Sequence, residues 1–182
     1  MPRILSAGLF ALTIATGASA QTATTGSLTV QDPMLRATAP NAPVAGGFVT
    51  IINAGDADDV LEAVMAAPDL TTDVELHEMA MQDGVMRMRA LEEGIAIPAG
   101  GTVTLEPGGL HLMLTALKAP LVEGEGHALT LRFRDAGQVT MTFPVMAIGE
   151  IRQRVDADGD DEGPGFTAEE LAEEMNEEPA DE

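Results

Sequence analysis

The chain has no cysteine, no tryptophan and no tyrosine. Without cysteine no disulfide can hold the fold together, so a packed hydrophobic core has to do so. Metal sites built on thiolates are excluded for the same reason, and so is a blue-copper electron-transfer site, which needs a cysteine ligand. A soft metal ion would therefore have to be bound through methionine and histidine side chains.

Basic residues are scarce. The chain has 9 Lys and Arg against 30 Asp and Glu, which gives a formal net charge of −21. Such a charge repels polyanions, so we expect no nucleic-acid partner. The acids are unevenly spread, because residues 150–182 carry 14 acids and only 2 bases. We therefore predict one β domain over residues 21–149, followed by a separate, mostly disordered acidic tail over residues 150–182.

Long apolar runs are absent after the first twenty residues. Arg3, the apolar run Ile4–Thr16 and the small residues Ala18–Ala20 before Gln21 are typical of a secretory signal peptide. The alternative, an uncleaved membrane anchor, is disfavoured because the run is too short to span a bilayer. We therefore expect residues 1–20 to be a cleaved signal, no membrane span, and a periplasmic mature protein.

Residue groups that would indicate catalysis are also missing. Serine is scarce after the signal, no Gly-x-Ser-x-Gly motif occurs, and no acid–base pair is evident. His127, in a turn-like stretch before a strand, is best interpreted as a surface residue. We predict that the protein is not an enzyme.

Short apolar or alternating runs, broken by Pro and Gly, follow one another from Leu28 to Val145. This rhythm is typical of a β-sandwich or Greek-key barrel, and no internal repeat or helix is evident before the tail. The predicted strands are 27–31, 34–38, 46–53, 60–66, 73–81, 85–91, 102–106, 110–116, 128–134 and 138–146.

A hairpin is predicted where Asp83-Gly84 separates two alternating runs. A two-residue turn would place Met79 opposite Met88 and His77 opposite Ala90. The two-residue period then puts one histidine and four methionines on one face of the hairpin. They are His77, Met79, Met81, Met86 and Met88. Glu78 and Arg89 would pair on the other face.

A second informative stretch follows the turn Pro107–Gly109. The strand that it introduces would carry His111 and Met113 on one face and three core leucines, Leu110, Leu112 and Leu114, on the other. Thioethers and imidazoles together favour Cu(I), whereas Zn²⁺ prefers imidazole, thiolate and carboxylate. The alternative stays open at this point, because a methionine stripe is often simply core packing in a structural or interaction β-sandwich.

These stretches resemble the periplasmic copper chaperone A (PCuAC) family over about residues 27–148. The resemblance lies in His77-Glu78-Met79, Gly84–Arg89 and Pro107–Met113. Flanking similarities are Gly47–Asn53, Asp58–Leu61, Ile97–Gly101 and Leu129–Phe133. Ten residues separate His77 from Met88, as in the family. Twenty-two separate Met88 from His111, one more than in the family pattern.

The resemblance implies a cupredoxin-like Greek-key β-sandwich that binds Cu(I) through His77, Met88, His111 and Met113. It also implies a metallochaperone that delivers copper to an acceptor protein. That acceptor would be a subunit of cytochrome c oxidase, for assembly of its copper centre, or a second copper chaperone. We expect a monomer. The family's additional copper site in a His- and Met-rich tail is not expected, because this tail has Met175 but no histidine.

The tail has two features of its own. Asp156–Gly163 resembles the start of a Ca²⁺-binding EF-hand loop, but neither way of counting fits all ligand positions, and no entering helix is evident. A solvated acidic tail is the competing interpretation. Thr167 and Glu170 form a capping box, which predicts a short helix at 168–177.

Overall fold

Eleven β-strands and one α-helix make up the part of the chain that the computed structural model describes, residues 21–82 and 84–158. The strands are β1 (Thr22–Thr25), β2 (Leu28–Arg36), β3 (Ala45–Asn53), β4 (Asp59–Ala66), β5 (Asp73–Gln82), β6 (Val85–Ala90), β7 (Ile95–Ile97), β8 (Thr102–Leu105), β9 (His111–Thr115), β10 (Gly126–Phe133) and β11 (Gln138–Met146). The helix is α1 (Ile148–Asp158). Within these residues no helix has the length and apolar character needed to cross a bilayer. The predicted signal peptide and the predicted helix at 168–177 lie outside the described residues.

The strands follow one hydrogen-bonded path in the order β6-β5-β9-β3-β2-β11-β10-β4-β7, while β1 pairs with β2 and β8 with β3. All pairs are antiparallel except β2 with β11, which run parallel over two residue pairs. Strands adjacent in sequence are often distant in the sheet, as in β3 and β4. The structure confirms the predicted all-β, cupredoxin-like fold.

The core is made by residues that alternate along these strands. Leu76 on β5 and Leu112 and Leu114 on β9 are buried beside Val49 and Ile51 of β3. Further along the path, β4, β10 and β11 contribute their own buried residues to the same cluster. Fully burying one such leucine is worth about 2 kcal/mol relative to exposing it. The core therefore fixes which face of β5 and β9 remains available for a site.

Strand β2 replaces the two predicted strands 27–31 and 34–38. Its pairing with β3 shifts register between Gln31 and Met34, and Asp32 has a positive φ of 53°. Pro33, within this irregularity, cannot donate a backbone hydrogen bond, which accounts for the break. The last residues of β2 can then pair with β11, which places Arg36 beside Met146.

Two short strands were not predicted. The predicted strands begin at residue 27, but Thr22–Thr25 form β1 by pairing with the start of β2. Ile95–Ile97 form β7, which pairs with β4 at the end of the sheet. Both segments are too short for an alternation of apolar and polar residues to be recognised in the sequence. They form strands because a neighbouring strand offers backbone hydrogen-bond partners.

Helix α1 is the other departure from the prediction, since no helix was expected before the tail. Its Ile151 and Val155 pack against Met34, Phe48 and Met146. The helix crosses the predicted boundary between residues 149 and 150, and that boundary itself remains a prediction. Because α1 ends at Asp158, it enters the acidic stretch Asp156–Gly163, for which no entering helix was expected, and includes its first three residues. The rest of that stretch lies outside the described residues.

Candidate metal centre

The β5–β6 hairpin has the predicted register. Gln82 pairs with Val85, Met79 with Met88, and His77 with Ala90. Gly84 in the turn has a φ of 77°, a conformation that glycine adopts without strain. The hairpin therefore presents His77 and its methionines on one face.

On the opposite face the predicted pair of Glu78 and Arg89 is present. Arg89 Nε donates to Glu78 Oε2 at 2.6 Å, and Glu78 is 2% exposed. A carboxylate buried to this degree needs a partner, because an unpaired buried charge is costly. The ion pair thus ties the edge strand β6 to β5 and holds the register of the hairpin, and with it the face that carries His77 and Met88.

Strand β9 completes the arrangement by pairing with β5. His77 lies directly opposite His111 in this pair, and Met113 lies opposite Glu75. The two imidazole rings have centroids 5.7 Å apart and planes inclined by 68°. The leucines that alternate with them point into the core, as predicted.

An open cleft runs along this face of the sheet. Three of the four predicted ligands, Met88, His111 and Met113, line it together with Met79. His77 is not among the lining residues but lies against the ring of His111. Met81 and Met86, nearer the hairpin turn, do not line the cleft. The structure thus separates the methionines that periodicity alone could not distinguish.

The floor of the cleft is strand β3, where Gly46 pairs with Met113 and Phe48 follows on the same face. A Cβ atom at position 46 would lie 3.2 Å from the ring of Phe48. Glycine at position 46 therefore leaves space beside the Phe48 ring that a larger residue would fill.

The methionines of the hairpin are not buried. Met88 is 48% exposed and Met86 44%, whereas His111 is only 6% exposed. Methionine used as core filler would be buried like the leucines of the same strands. The site consequently has a buried histidine side and an open methionine side.

Each of the two facing histidines has one ring nitrogen engaged and one that has no hydrogen-bond partner among the described residues. His77 Nε2 lies 2.6 Å from Glu75 Oε2, and His111 Nδ1 lies 3.1 Å from the carbonyl oxygen of Gly109. Both acceptors call for an N–H on the engaged nitrogen, which leaves a lone pair on His77 Nδ1 and on His111 Nε2. His77 Nδ1 is buried and has no hydrogen-bond partner within residues 21–82 and 84–158. This is the pattern of metal-binding imidazoles, whose other nitrogen donates to a carboxylate or a carbonyl.

The environment of His111 favours its neutral form. Burial lowers the pKa of His111, and the neighbouring His77 lowers it further, against the opposing effect of the hydrogen bond to Gly109. A neutral imidazole keeps the lone pair that a metal requires, since protonation would occupy it.

Glu75 was not identified from the sequence as part of the site. It lies two residues before His77, so the same strand period that placed His77 and Met79 on one face includes it. The strand period therefore placed Glu75 on the same face as His77 and the methionines. A carboxylate is not a typical ligand of a soft metal ion, so only its contact with the His77 ring shows its role.

Metal ligands other than methionine do not form a cluster in the described part of the chain. No group of three or more His, Cys, Asp or Glu residues there is placed to hold a metal ion. His127, on β10, lies outside the cleft, and its Nε2 is 3.7 Å from Glu125 Oε2. Its side chain is 26% exposed, in line with the surface location predicted for it. A metal at the cleft would therefore depend on thioether sulfur.

Comparison with known proteins identifies the family. Residues 28–145 match the family model described as "Putative lipoprotein LpqE-like". A relative from Leifsonia xyli subsp. xyli, "Putative lipoprotein Lxx21020", is 33% identical over 138 residues, which cover 76% of this chain and 82% of the relative.

Solved structures agree with this match. The apo PCuAC domain from PmoF1 has a TM-score of 0.59 and 29% identity, covering 70% of this chain and 99% of that domain. The copper-bound PCuAC domain from PmoF2 has a TM-score of 0.58 and 26% identity, covering 70% of this chain and 98% of that domain. CuI-DR1885 from Deinococcus radiodurans has a TM-score of 0.52 and 28% identity, covering 72% of this chain and 85% of that protein. The chain belongs to the LpqE-like family, and its β domain is a PCuAC-type, copper-chaperone-like domain.

Proposed function

We propose that this protein is a Cu(I) carrier that binds one ion through His77, Met88, His111 and Met113 and passes it to another protein. The observation that carries the proposal is the state of the two facing imidazoles. Each has one nitrogen engaged by a protein acceptor and one lone pair left free. Two such nitrogens and the thioethers of the adjoining cleft make a neutral ligand set for a soft monovalent ion.

The ligand chemistry favours Cu(I) over other metals. Zn²⁺ prefers thiolate, imidazole and carboxylate, and Ca²⁺ and Mg²⁺ prefer oxygen ligands. The described residues offer no cluster of that kind, while two histidines and several methionines converge on one face. The solved relatives include a copper-bound domain and a CuI-bound protein, which supports the same choice.

Release of the ion would begin on the methionine side. Met88 lies on β6, the end strand of the sheet, and is half exposed, so an acceptor can approach its sulfur while the histidines still hold the ion. Met113 lines the same cleft one strand further in. A ligand-by-ligand exchange from the open side avoids releasing free copper.

The setting of this activity is also part of the proposal. The relatives are named lipoproteins, and residues 1–20 are predicted to be an export signal, so we place the protein outside the cytoplasm, in the periplasm. The resemblance to periplasmic copper chaperones further suggests assembly of the copper centre of cytochrome c oxidase. The acceptor would then be an oxidase subunit or a second copper chaperone.

The competing function is a structural or interaction β-sandwich whose methionine face is mere packing. That interpretation needs the hairpin methionines to be buried, yet Met81, Met86 and Met88 are all more than 40% exposed. It also gives no reason for two facing histidines, one of them buried, that each keep one ring nitrogen without a hydrogen-bond partner among the described residues.

An anaerobic titration of the mature protein with Cu(I), in competition with a chromophoric Cu(I) chelator, tests the proposal. We expect one ion per chain, no comparable competition by Zn²⁺, and two sulfur and two nitrogen neighbours in the copper X-ray absorption spectrum. The Met88→Leu/Met113→Leu double variant should lose this binding. Its matched control, Met81→Leu/Met86→Leu, should retain it. Equal affinity of the two double variants would overturn the assignment.

A further inference from the structure

The cleft is a positively charged region on the surface of a very acidic chain. Its charged lining residues in the described part of the chain are Arg36, at the end of β2, and Arg152, on α1. Neither side chain has a hydrogen bond or ion pair to the described residues. By contrast, Arg132 and Arg134 both lie within 4 Å of Glu62 on β4. Two unpaired arginines beside an apolar floor form a surface suited to an acidic, amphipathic segment.

Such a segment lies in the same chain. Residues 159–182 contain eleven acids and no base. Within them, Thr167 and Glu170 predict a helix at 168–177, in which Leu171 and Met175 lie four residues apart on one face. The sequence also matches a hydrophobic staple, in which Phe166, just before the cap, would pair with Leu171. The predicted helix thus has a narrow apolar stripe bordered by glutamates.

The described residues also show where this segment starts. Helix α1 passes along the cleft, because its Ile148 and Arg152 line it. Burial, and secondarily the charge of Asp156 near the end of α1, raise the pKa of Glu106, which immediately precedes Pro107 in the cleft wall. The chain therefore leaves α1 beside the cleft. The following twenty-four residues span up to about 80 Å when extended, so reach is not limiting.

We propose that the acidic segment 159–182 docks in the cleft of its own chain, with Leu171 and Met175 against the floor and its glutamates beside Arg36 and Arg152. The tether supplies a millimolar-range effective concentration, so modest contacts suffice. Docking itself needs no metal.

The test uses the copper-free, full mature chain with ¹³C-methyl methionine. Since the chain has no cysteine, Asn176→Cys accepts a single nitroxide label. We expect the label to broaden the methyl signals of Met79, Met88 and Met113 severalfold more than that of Met65. Met65, on β4, is 43% exposed but lies outside the cleft. Adding Arg36→Gln/Arg152→Gln should abolish the difference, whereas the matched pair Arg132→Gln/Arg134→Gln should preserve it.

Three outcomes would overturn the docking proposal. One is equal broadening of Met65 and Met88, and another is broadening that survives the Arg36→Gln/Arg152→Gln change. The third is broadening that appears only when spin-labelled and methyl-labelled copies are mixed, which would make a second copy the occupant. Because copper is absent throughout, these results are independent of the Cu(I) titration, and either proposal can fail without the other.

Discussion

Strands β5 and β9 have two faces that differ in burial, chemistry and role. On one face Leu76, Leu112 and Leu114 are 5%, 0% and 0% exposed and belong to the main core. On the other face, the neighbouring residues are His77, His111 and Met113. His111 and Met113 line the open cleft, and His77 lies against the ring of His111. Neighbouring residues in the chain thus serve the fold and the site in turn.

This alternation separates stability from binding. Strand geometry sends successive side chains to opposite faces, so a residue can be changed on one face while its neighbour's packing is kept. A substitution on the leucine face should change the free energy of unfolding, and one on the histidine and methionine face should change Cu(I) affinity. The following predictions test how sharp that division is.

The largest effect is expected from adjacent residues on β9. Leu112→Ala removes a fully buried side chain and should lower the free energy of unfolding by about 3 kcal/mol. Met113→Leu conserves volume and should cost less than about 1.5 kcal/mol of stability. Urea denaturation of the copper-free variants measures both. A larger loss of stability for Met113→Leu would show that the site face also carries the fold.

Within the hairpin, Met88→Leu should weaken Cu(I) binding by about 100-fold, or about 2.7 kcal/mol. Met81→Leu and Met86→Leu should change it little, because neither residue lines the cleft, and Met79→Leu should fall between. Anaerobic chelator competition ranks the four variants. If Met86→Leu were the weakest binder, the assignment of Met88 as a ligand would be wrong.

Glu75→Gln should weaken Cu(I) binding by about tenfold. This is the low end of the loss in metal affinity seen when a group that hydrogen-bonds to a metal-bound histidine is removed. The amide keeps the shape but accepts a weaker hydrogen bond from His77 Nε2. Chelator competition measures the loss, and Glu125→Gln, beside His127 and outside the cleft, is the matched control. An unchanged affinity would mean that Glu75 does not orient His77.

The smallest effect concerns Glu106. Burial, and secondarily the charge of Asp156, raise the pKa of this carboxyl above its ordinary value of 4.5. The folded chain therefore holds this proton more tightly, and the associated stability is present below pH 4.5 and lost as pH rises through the raised pKa. Glu106→Gln should thus be more stable than the parent at pH 7 by a few tenths of a kcal/mol.

Thermal unfolding at pH 4 and pH 7 checks the sign, since the advantage of Glu106→Gln should shrink towards the lower pH. The exposed Glu123→Gln serves as the control and should show no such trend. An advantage of Glu106→Gln that grew on acidification would contradict the direction of the shift.

Local sequence signals predicted the hairpin well. Asp83-Gly84 between alternating runs set the register of β5 against β6, and the pairing of Glu78 with Arg89 followed from it. The all-β fold was predictable for the same reason, because short alternating runs with turn residues between them recur along most of the chain. These features depend on residues that are close in sequence.

The sequence alone did not reveal how distant segments meet. The pairing of β5 with β9, which sets His77 opposite His111, joins separated segments whose residue patterns contain no register information. Strand β1 exists only because β2 offers backbone partners. Helix α1 did have a signal, since Ile148, Ile151 and Val155 recur with a helical period. Its apolar face is meaningful only once Met34, Phe48 and Met146 are known to form a surface for it.

Strand β6 has a further consequence for solubility. It ends the strand path of the described residues, with β5 as its neighbour, and it carries exposed Val85, Met86 and Met88. An accessible, apolar edge strand is a template for pairing with another chain and hence for aggregation. Arg87 and Arg89 alternate with the methionines, and the net charge of −21 repels other copies at a distance. Because salt screens the charges of both the arginines and the whole chain, the protein should be more prone to self-association at high ionic strength.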